Sequence, residues 1–198
     1  MMWGSRTRGS ARFDNVFVLS TGRCGSLTFH QACRQMSNYT ARHESANQVK
    51  ERHAAVYAQP FPLQHIEIDN RLAWFLGLLE RRYGDNAYYV HLMRDREETA
   101  RSLAKRRGIF RAFGGEMMHR QRHVFDDMGE DAKHAVALNF WDTVNANIEL
   151  FLKDKTHKTT AWIHDIEEPF RKVWTDIGAE GRLDKALAQL GRRYHASA

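Results

Sequence analysis

Short apolar runs alternate with longer amphipathic stretches along the chain, a pattern that predicts strands alternating with helices. Strands are expected at residues 16–19, 39–43, 66–68, 88–93 and 159–164. Helices are expected at residues 26–36, 47–58, 72–79, 94–106, 132–153, 167–177 and 183–190. This alternation predicts a three-layer α/β/α domain with a central parallel sheet, whose ligand-binding loops lie at the carboxyl ends of the strands. We expect one domain over residues 14–198, preceded by a flexible, polar and basic segment at residues 1–13.

The first predicted strand runs into a glycine-containing turn and then into a helix. Residues 16–28 read V-F-V-L-S-T-G-R-C-G-S-L-T, in which Gly22 and Gly25 allow sharp turns and Ser26 suits the N-cap or first turn of the helix. The unpaired N–H groups and the dipole of such a helix start attract a phosphate or sulfate, and Arg23 adds a cation. The pattern predicts an anion site, and a tight turn with a capping serine is the alternative.

A second strand-to-helix turn also carries candidate anion-binding residues. Residues 87–93 are strand-like, and residues 94–106 are polar, helical in period and rich in cations. Arg94 lies at the strand end and Ser102 on the following helix. The alternatives are an ion pair of Arg94 with Asp95 or Glu98 and a helix-surface hydroxyl at Ser102.

Together, S-T-G-R-C-G-S at residues 20–26 and H-L-M-R-D-R-E-E-T-A-R-S-L at residues 91–103 resemble the two cofactor signatures of the sulfotransferase family, which uses 3'-phosphoadenosine 5'-phosphosulfate (PAPS). The His43-Glu44 pair and the N-F-W…N pattern at residues 139–147 look like its bacterial and carbohydrate branch. The resemblance covers roughly residues 14–178 and implies a fold like that of P-loop nucleotide hydrolases. It implies that the first loop holds the 5'-phosphosulfate, that Arg94 and Ser102 hold the 3'-phosphate, that no metal is required, and that the product is adenosine 3',5'-bisphosphate. The cofactor-binding residues so implied are Thr21, Gly22, Arg23, Cys24, Gly25, Ser26, Leu27, Thr28, Arg94 and Ser102.

The chain departs from the family pattern at several positions. The cytosolic small-molecule branch has Lys at the position of Arg23 and an adenine-stacking Trp at the position of Thr28. The usual Arg-Asp-Pro is Arg-Asp-Arg at residues 94–96, and a late Arg-Lys-Gly segment is not found. The departures leave the phosphate sites recognisable and the adenine contacts unassigned.

Sulfuryl transfer needs a base for the acceptor proton and cations for the leaving phosphate. We expect Arg23, His43 and Glu44 to be catalytic, with Arg23 at the transferring group. Glu44 matches the glutamate base of carbohydrate and tyrosine sulfotransferases, so it is preferred to His43 as the base, and a surface salt bridge is its alternative. Glu67 and Asn70 are weaker acceptor-site candidates.

Other enzyme classes fit the residues less well. The loop lacks the Gly-Lys-Ser/Thr of a Walker A motif, and a metal-binding acidic strand is missing, which argues against a P-loop-like kinase or phosphotransferase. A phosphatase using Cys24 would need an arginine where His30 stands. A catalytically silent protein that binds 3'-phosphoadenosine nucleotides remains open.

The charge and the motifs of the sequence limit the classes of binding partner that we expect. The formal net charge is +6, but the basic residues are scattered and no zinc pattern or RNA-binding motif is visible, so a nucleotide is expected and a specific nucleic acid is not. We expect a small-molecule or carbohydrate acceptor.

Two cysteines in poor disulfide positions, no signal-peptide pattern and no membrane-length apolar stretch favour a cytoplasmic location. The chain is short for the family, so acceptor-binding insertions are reduced or come from a second subunit of a homo-oligomer.

Three further features have simple interpretations. Residues 107–131 read as an acceptor lid or as a surface helix with its connections. His119 and His123 are spaced like a metal pair, but a solvated basic face is the simpler reading because no third ligand accompanies them. The side chains of Trp141, Trp162 and Trp174 are expected in the core.

Overall fold

A computed structural model of the protein describes residues 10–45, 59–105 and 129–192. Its strands are β1 Asn15–Leu19, β2 Thr40–His43, β3 His65–Ile68, β4 Tyr88–Met93 and β5 Lys158–Trp162. They form one sheet in the order β2-β3-β1-β4-β5, and every neighbouring pair is parallel. The predicted α/β class with a central parallel sheet is therefore confirmed.

The described residues contain six α-helices and two 3-10 helices. The α-helices are α1 Ser26–Cys33, α2 Leu76–Tyr83, α3 Arg96–Ala104, α4 Glu130–Leu152, α5 Glu167–Asp176 and α6 Leu183–Leu190. The 3-10 helices are Asn70–Trp74 and Ile163–Asp165. The helix predicted over residues 72–79 is wrong in its extent, because Asp69 caps Arg71 N–H to begin the first 3-10 helix and Phe75, at φ −117°, separates it from α2.

Helices cover both faces of the sheet. Apolar side chains of α1, α5 and α6 pack on one face, against Val16 and Val18 of β1, and those of α2, α3 and α4 pack on the other, against Phe17 and Leu19. All five residues of β1 are buried, as the alternation of side chains requires for a strand covered on both faces. The arrangement has the three layers that the sequence predicts.

β1 is the central strand and the point where the chain changes direction across the sheet. The helix after β1, α1, lies on one face, whereas the helices after its neighbours β3 and β4 lie on the other. In open α/β sheets the crevice outside the carboxyl end of such a strand is the usual ligand site. The loop between β1 and α1 lies at this crevice.

The described end of the predicted flexible segment is bonded to the domain. Ser10 Oγ donates to the Gly178 carbonyl at 2.7 Å, and Arg12 N–H donates to the Ile177 carbonyl at 3.0 Å. The Phe13 ring packs edge-on against Tyr88 with ring centroids 5.4 Å apart. Residues 10–13 therefore do not belong to a frayed segment, because they gain backbone hydrogen bonds and an aromatic contact; residues 1–9 lie outside the described residues.

The burial of the tryptophan side chains confirms one expectation and contradicts another. Trp174 is buried, but Trp162 is 36% exposed because it ends the edge strand β5, so its assignment to the core is wrong. Cys24 and Cys33 are both free thiols and both buried. Across the part of the chain that the structure describes, no helix combines the length and apolar character needed to cross a membrane.

Candidate functional site

The loop between β1 and α1 contains three left-handed backbone conformations. Gly22, Arg23 and Gly25 have φ of 78°, 59° and 83°. A Cβ on Gly22 would lie 3.3 Å from the side-chain nitrogen of Asn70, and one on Gly25 would lie 2.4 Å from Ile163 Cδ1. Both glycines are therefore required by backbone conformation and by close packing, while Arg23 holds a conformation that costs about 1–2 kcal/mol for a residue with a Cβ.

Helix α1 begins without a side-chain cap. Gly25 is its N-cap, within the described residues no side chain caps it, and no acidic residue stands in its first turn. Phe29 N–H is bonded to the Gly25 carbonyl at 3.0 Å, so the N–H groups of residues 26–28 precede the helical ladder. Ser26 is the first helical residue and not the cap. This helix start has the donors and the positive dipole end that favour an anion.

Arg23 connects the first loop to the second predicted signature. Its Nε donates to Ser102 Oγ on α3 at 2.9 Å, across 79 residues of sequence. Arg94, at the end of β4, donates from Nη1 to the Arg23 carbonyl at 3.1 Å. The two segments singled out in the sequence therefore form one cluster with two guanidinium groups.

The Arg94 side chain is also bonded to Glu98 of α3, and its main-chain carbonyl is bonded to Trp141 of α4. Its Nε and Nη2 each lie 3.0 Å from Glu98 Oε2, so the ion pair named as the alternative for Arg94 is present. The Arg94 side chain remains 32% exposed, and Glu98 is 58% exposed, so this pair is a solvent-accessible one that contributes little free energy. Trp141 Nε1 donates to the Arg94 carbonyl at 3.3 Å and ties α4 to the end of β4.

His43 and Glu44 lie at the carboxyl end of β2, but they point to different partners. His43 Nε2 lies 3.0 Å from Ser26 Oγ, on the face of the sheet covered by α1. Glu44 has a left-handed φ of 49°, and its N–H donates to the Ile68 carbonyl at 3.0 Å. Through its contact with Ser26, His43 is joined to the loop between β1 and α1.

A buried carboxylate supports the turn that carries Glu44. Glu67 is fully buried and accepts hydrogen bonds from Ser45 N–H at 3.0 Å and Ser45 Oγ at 2.7 Å. His65 Nε2 lies 2.8 Å from the same carboxylate. Glu67 is therefore not placed to meet an acceptor, and Asn70, the other weaker candidate, packs against Gly22.

The remaining loop residues have local roles. Cys24 is fully buried, and burial raises the pKa of its thiol, so it lacks the accessible thiolate that a phosphatase nucleophile requires. Thr21 Oγ1 donates to the Gly22 carbonyl at 3.0 Å, and Leu27 is half-buried. Thr28 is buried and donates to the Arg192 carbonyl at 3.2 Å, so its hydroxyl is directed toward the end of α6.

Several predicted features fall partly or wholly outside the described residues. These are the helix at 47–58, His119, His123 and most of the segment at 107–131. The end of that segment is corrected, because Gly129 precedes α4 and residues 130–131 lie in its first turn. The roles of Trp141, Ile163 and Arg192 were missed, because each depends on a contact between elements distant in sequence.

Comparison with known proteins adds no family assignment. A scan of the chain against protein-family models gives no match, and a search of curated protein sequences gives none either.

Proposed function

We propose that the protein is a PAPS-dependent sulfotransferase with a P-loop-like cofactor site, which transfers a sulfuryl group to a hydroxyl or amine of a small-molecule or carbohydrate acceptor. The observation that carries the proposal is the contact of the two resembled signatures. Arg23 of the first loop bonds Ser102, and Arg94 bonds the Arg23 carbonyl. A ligand with phosphate groups at two ends needs two such anion-binding segments side by side.

The residues present fit a nucleotide with a charged 5' group. The start of α1 offers backbone N–H donors without an acid in its first turn. Arg23, Ser26, Arg94 and Ser102 add two cations and two hydroxyl groups around it. When bound, PAPS would supply the activated sulfuryl group and a stable bisphosphate leaving group.

The chain's own residues divide into two binding groups and a base. The N–H groups of residues 23–28, the Arg23 guanidinium and the Ser26 hydroxyl would hold the 5' end and neutralise charge that develops there. Arg94 and Ser102 would hold the 3'-phosphate through charge-assisted and neutral hydrogen bonds. Glu44 would remove the acceptor proton, an effect worth on the order of a hundred- to ten-thousand-fold in rate.

Binding of nucleotides tests this proposal first. A thermal-shift comparison of adenosine 3',5'-bisphosphate with AMP, ADP and ATP measures which ligand the native state holds best, because a ligand bound only to the native state raises its apparent stability. The proposal predicts the largest shift for the bisphosphate, without added metal. A preference for ATP would instead favour a kinase or phosphotransferase.

Turnover separates an enzyme from a silent binding protein. The protein is incubated with PAPS and a mixture of hydroxyl and amine acceptors, and formation of adenosine 3',5'-bisphosphate is followed. Acceptor-dependent release supports the enzyme. Tight binding of the bisphosphate without release for any acceptor would leave a nucleotide-binding protein.

A further inference from the structure

The side chains of His43 and Ser26 form a pair that the resemblance does not assign. Ser26 is the first residue of α1 and His43 the last of β2, and Ser26 Oγ lies 3.0 Å from His43 Nε2. Both side chains are half-buried, at the edge of the anion-binding loop. A histidine whose Nε2 is engaged by a loop hydroxyl is turned toward the cofactor and not toward an acceptor.

We propose that His43 is a positioning residue that acts through Ser26, so that anion binding in the loop and protonation of His43 strengthen each other. The inference rests on the proposed function for the identity of the anion, the 5' group of the cofactor. It assigns His43 to cofactor binding and leaves the base role to Glu44.

The hydrogen-bonding capacity of the two groups explains the coupling. A serine hydroxyl has one hydrogen to donate and lone pairs to accept with. If Ser26 donates to an unprotonated Nε2, only its lone pairs face the loop, and these repel an anion. If Nε2 carries a hydrogen and donates to Ser26 Oγ, the Ser26 hydrogen is released for the anion. Protonated His43 always donates and also adds a positive charge.

Other titratable and charged groups lie around His43. On α1, His30 lies beside it, with ring centroids 5.7 Å apart, and Arg34 follows one turn later. Burial lowers the pKa of His30.

Two carboxylate side chains belong to the strand segments around His43, one directly after β2 and one in β3. Glu44 follows it in the chain, and Glu67 of β3 lies on the opposite face of the sheet, already bonded by Ser45 and His65. Ile68 is the residue of β3 that pairs with His43 in register, and it carries no charge. His43 thus contacts the loop through the hydroxyl of Ser26.

Inorganic sulfate tests the coupling, because sulfate does not itself titrate between pH 5.5 and 8. If a bound anion and a proton on His43 strengthen each other, sulfate should bind more tightly at pH 5.5 than at pH 8. We expect the dissociation constant of sulfate to rise by about tenfold across this range in the wild-type protein, within the usual range for coupling between two sites. In His43→Asn, which keeps a donor but cannot titrate, the affinity should change by less than about twofold.

Two variants and one spectrum complete the experiment. The matched control His157→Asn removes an imidazole at the amino end of β5 and should keep the wild-type pH profile. Ser26→Ala should lower sulfate affinity and flatten the profile, and a full pH dependence in this variant would overturn the role of Ser26 as intermediary. In the unmodified protein, the NMR titration of His43 should show a higher pKa with sulfate than without it, and equal values would overturn the inference even if the variants fail to fold.

The outcomes also separate this inference from the proposed function. Sulfate binding that depends on His43, without preference for adenosine 3',5'-bisphosphate over AMP, would support the inference and contradict the sulfotransferase. Strong preference for the bisphosphate, with sulfate affinity independent of pH, would overturn the inference alone.

Discussion

Arg94 Nη1 donates to the main-chain carbonyl of Arg23 across 3.1 Å, and this bond joins the end of β4 to the loop after β1. The same guanidinium is held by Glu98 through Nε and Nη2. Arg94 thus lies at the loop between β1 and α1, with the Glu98 carboxylate as its counter-ion. A phosphate bound there would compete with Glu98 for the guanidinium.

The first prediction concerns that competition. Glu98→Gln removes the charge of the competing carboxylate, so adenosine 3',5'-bisphosphate should bind roughly two- to fivefold more tightly, the range for loss of an exposed ion pair. Glu97→Gln is the matched control, because Glu97 also stands in the first turn of α3 but pairs with Arg96 and His134. Calorimetry measures both. Equal tightening by the two variants would indicate a general charge effect.

The second prediction concerns Gly25. Gly25→Ala places a Cβ at φ 83° and within 2.4 Å of Ile163 Cδ1, so the free energy of unfolding should fall by about 1–3 kcal/mol. A larger residue, as in Gly25→Val, should also abolish binding of adenosine 3',5'-bisphosphate, because the loop must distort. Urea unfolding and calorimetry give the two quantities.

Two controls isolate the cause. In the Ile163→Ala background, Gly25→Ala should lower the free energy of unfolding by less than it does in the wild-type protein, because the clash with Ile163 is removed. The cost of the left-handed backbone conformation should remain. Gly77→Ala, in α2 with open space around its Cβ position, should not destabilise the protein. Full stability of a folded Gly25→Val variant with unchanged ligand affinity would place the anion site elsewhere.

The sequence predicts the elements that depend on local pattern and misses those that depend on distant contacts. β4 has its predicted bounds at 88–93, because the apolar run is continuous and Gly84 to Asn86 precede it as a turn. The break at Phe75 was not predicted, because the apolar spacing of a helix continues through it. Trp162 was misassigned because its exposure follows from the position of β5 at the sheet edge, which residue spacing does not reveal.

In the candidate site, too, features set by the local sequence could be predicted, whereas features set by contacts between distant elements could not. The glycine turn and Arg94 could be found in the sequence because each directly follows an apolar strand, and Ser102 because it lies on the polar helix that comes next. The bond between His43 and Ser26 could not, since it depends on β2 returning beside α1 at a particular register. Burial of Glu67 was also invisible, because a carboxylate between two isoleucines reads as an exposed position of an alternating strand.

The third prediction concerns Glu44, the proposed general base. Glu44→Gln keeps the shape of the side chain and removes its proton acceptor, so turnover of PAPS on an acceptor that the wild-type protein sulfates should fall roughly a hundredfold or more. Affinity for adenosine 3',5'-bisphosphate should change little, because Glu44 lies outside the loop between β1 and α1 that is proposed to hold the cofactor. His43→Asn should act mainly on the Michaelis constant for PAPS. If His43→Asn abolishes turnover and Glu44→Gln is mild, the two roles are reversed.

The fourth prediction concerns acid stability and uses His91. This side chain is buried, its Nε2 lies 2.8 Å from Asn145 Oδ1, and burial lowers its pKa. An unfolded histidine titrates near 6.5, about its ordinary value, so below pH 7 the unfolded chain binds more protons than the native state. The contribution of neutral His91 is therefore fully present above about pH 6.5 and is lost as pH falls from there through the lower native pKa.

Urea unfolding at several pH values between 5 and 7.5 checks this sign. The free energy of unfolding should decrease with falling pH in the wild-type protein, and His91→Gln, which retains a donor for Asn145, should show a shallower decrease. His30, whose pKa is also lowered by burial, accounts for part of the remaining slope. An unchanged slope in folded His91→Gln would contradict the assignment.

The most direct test of the account is calorimetric binding of adenosine 3',5'-bisphosphate and AMP to the wild-type protein, Arg94→Ala and Arg96→Ala. The wild-type protein should prefer the bisphosphate, and Arg94→Ala should lose about 1.5–3 kcal/mol for the bisphosphate while its affinity for AMP hardly changes. Arg96→Ala should match the wild-type protein, because Arg96 is bonded to Asp142. Equal affinity of the wild-type protein for the two ligands, or equal losses for both in Arg94→Ala, would contradict a 3'-phosphate site at Arg94 and with it the sulfotransferase proposal.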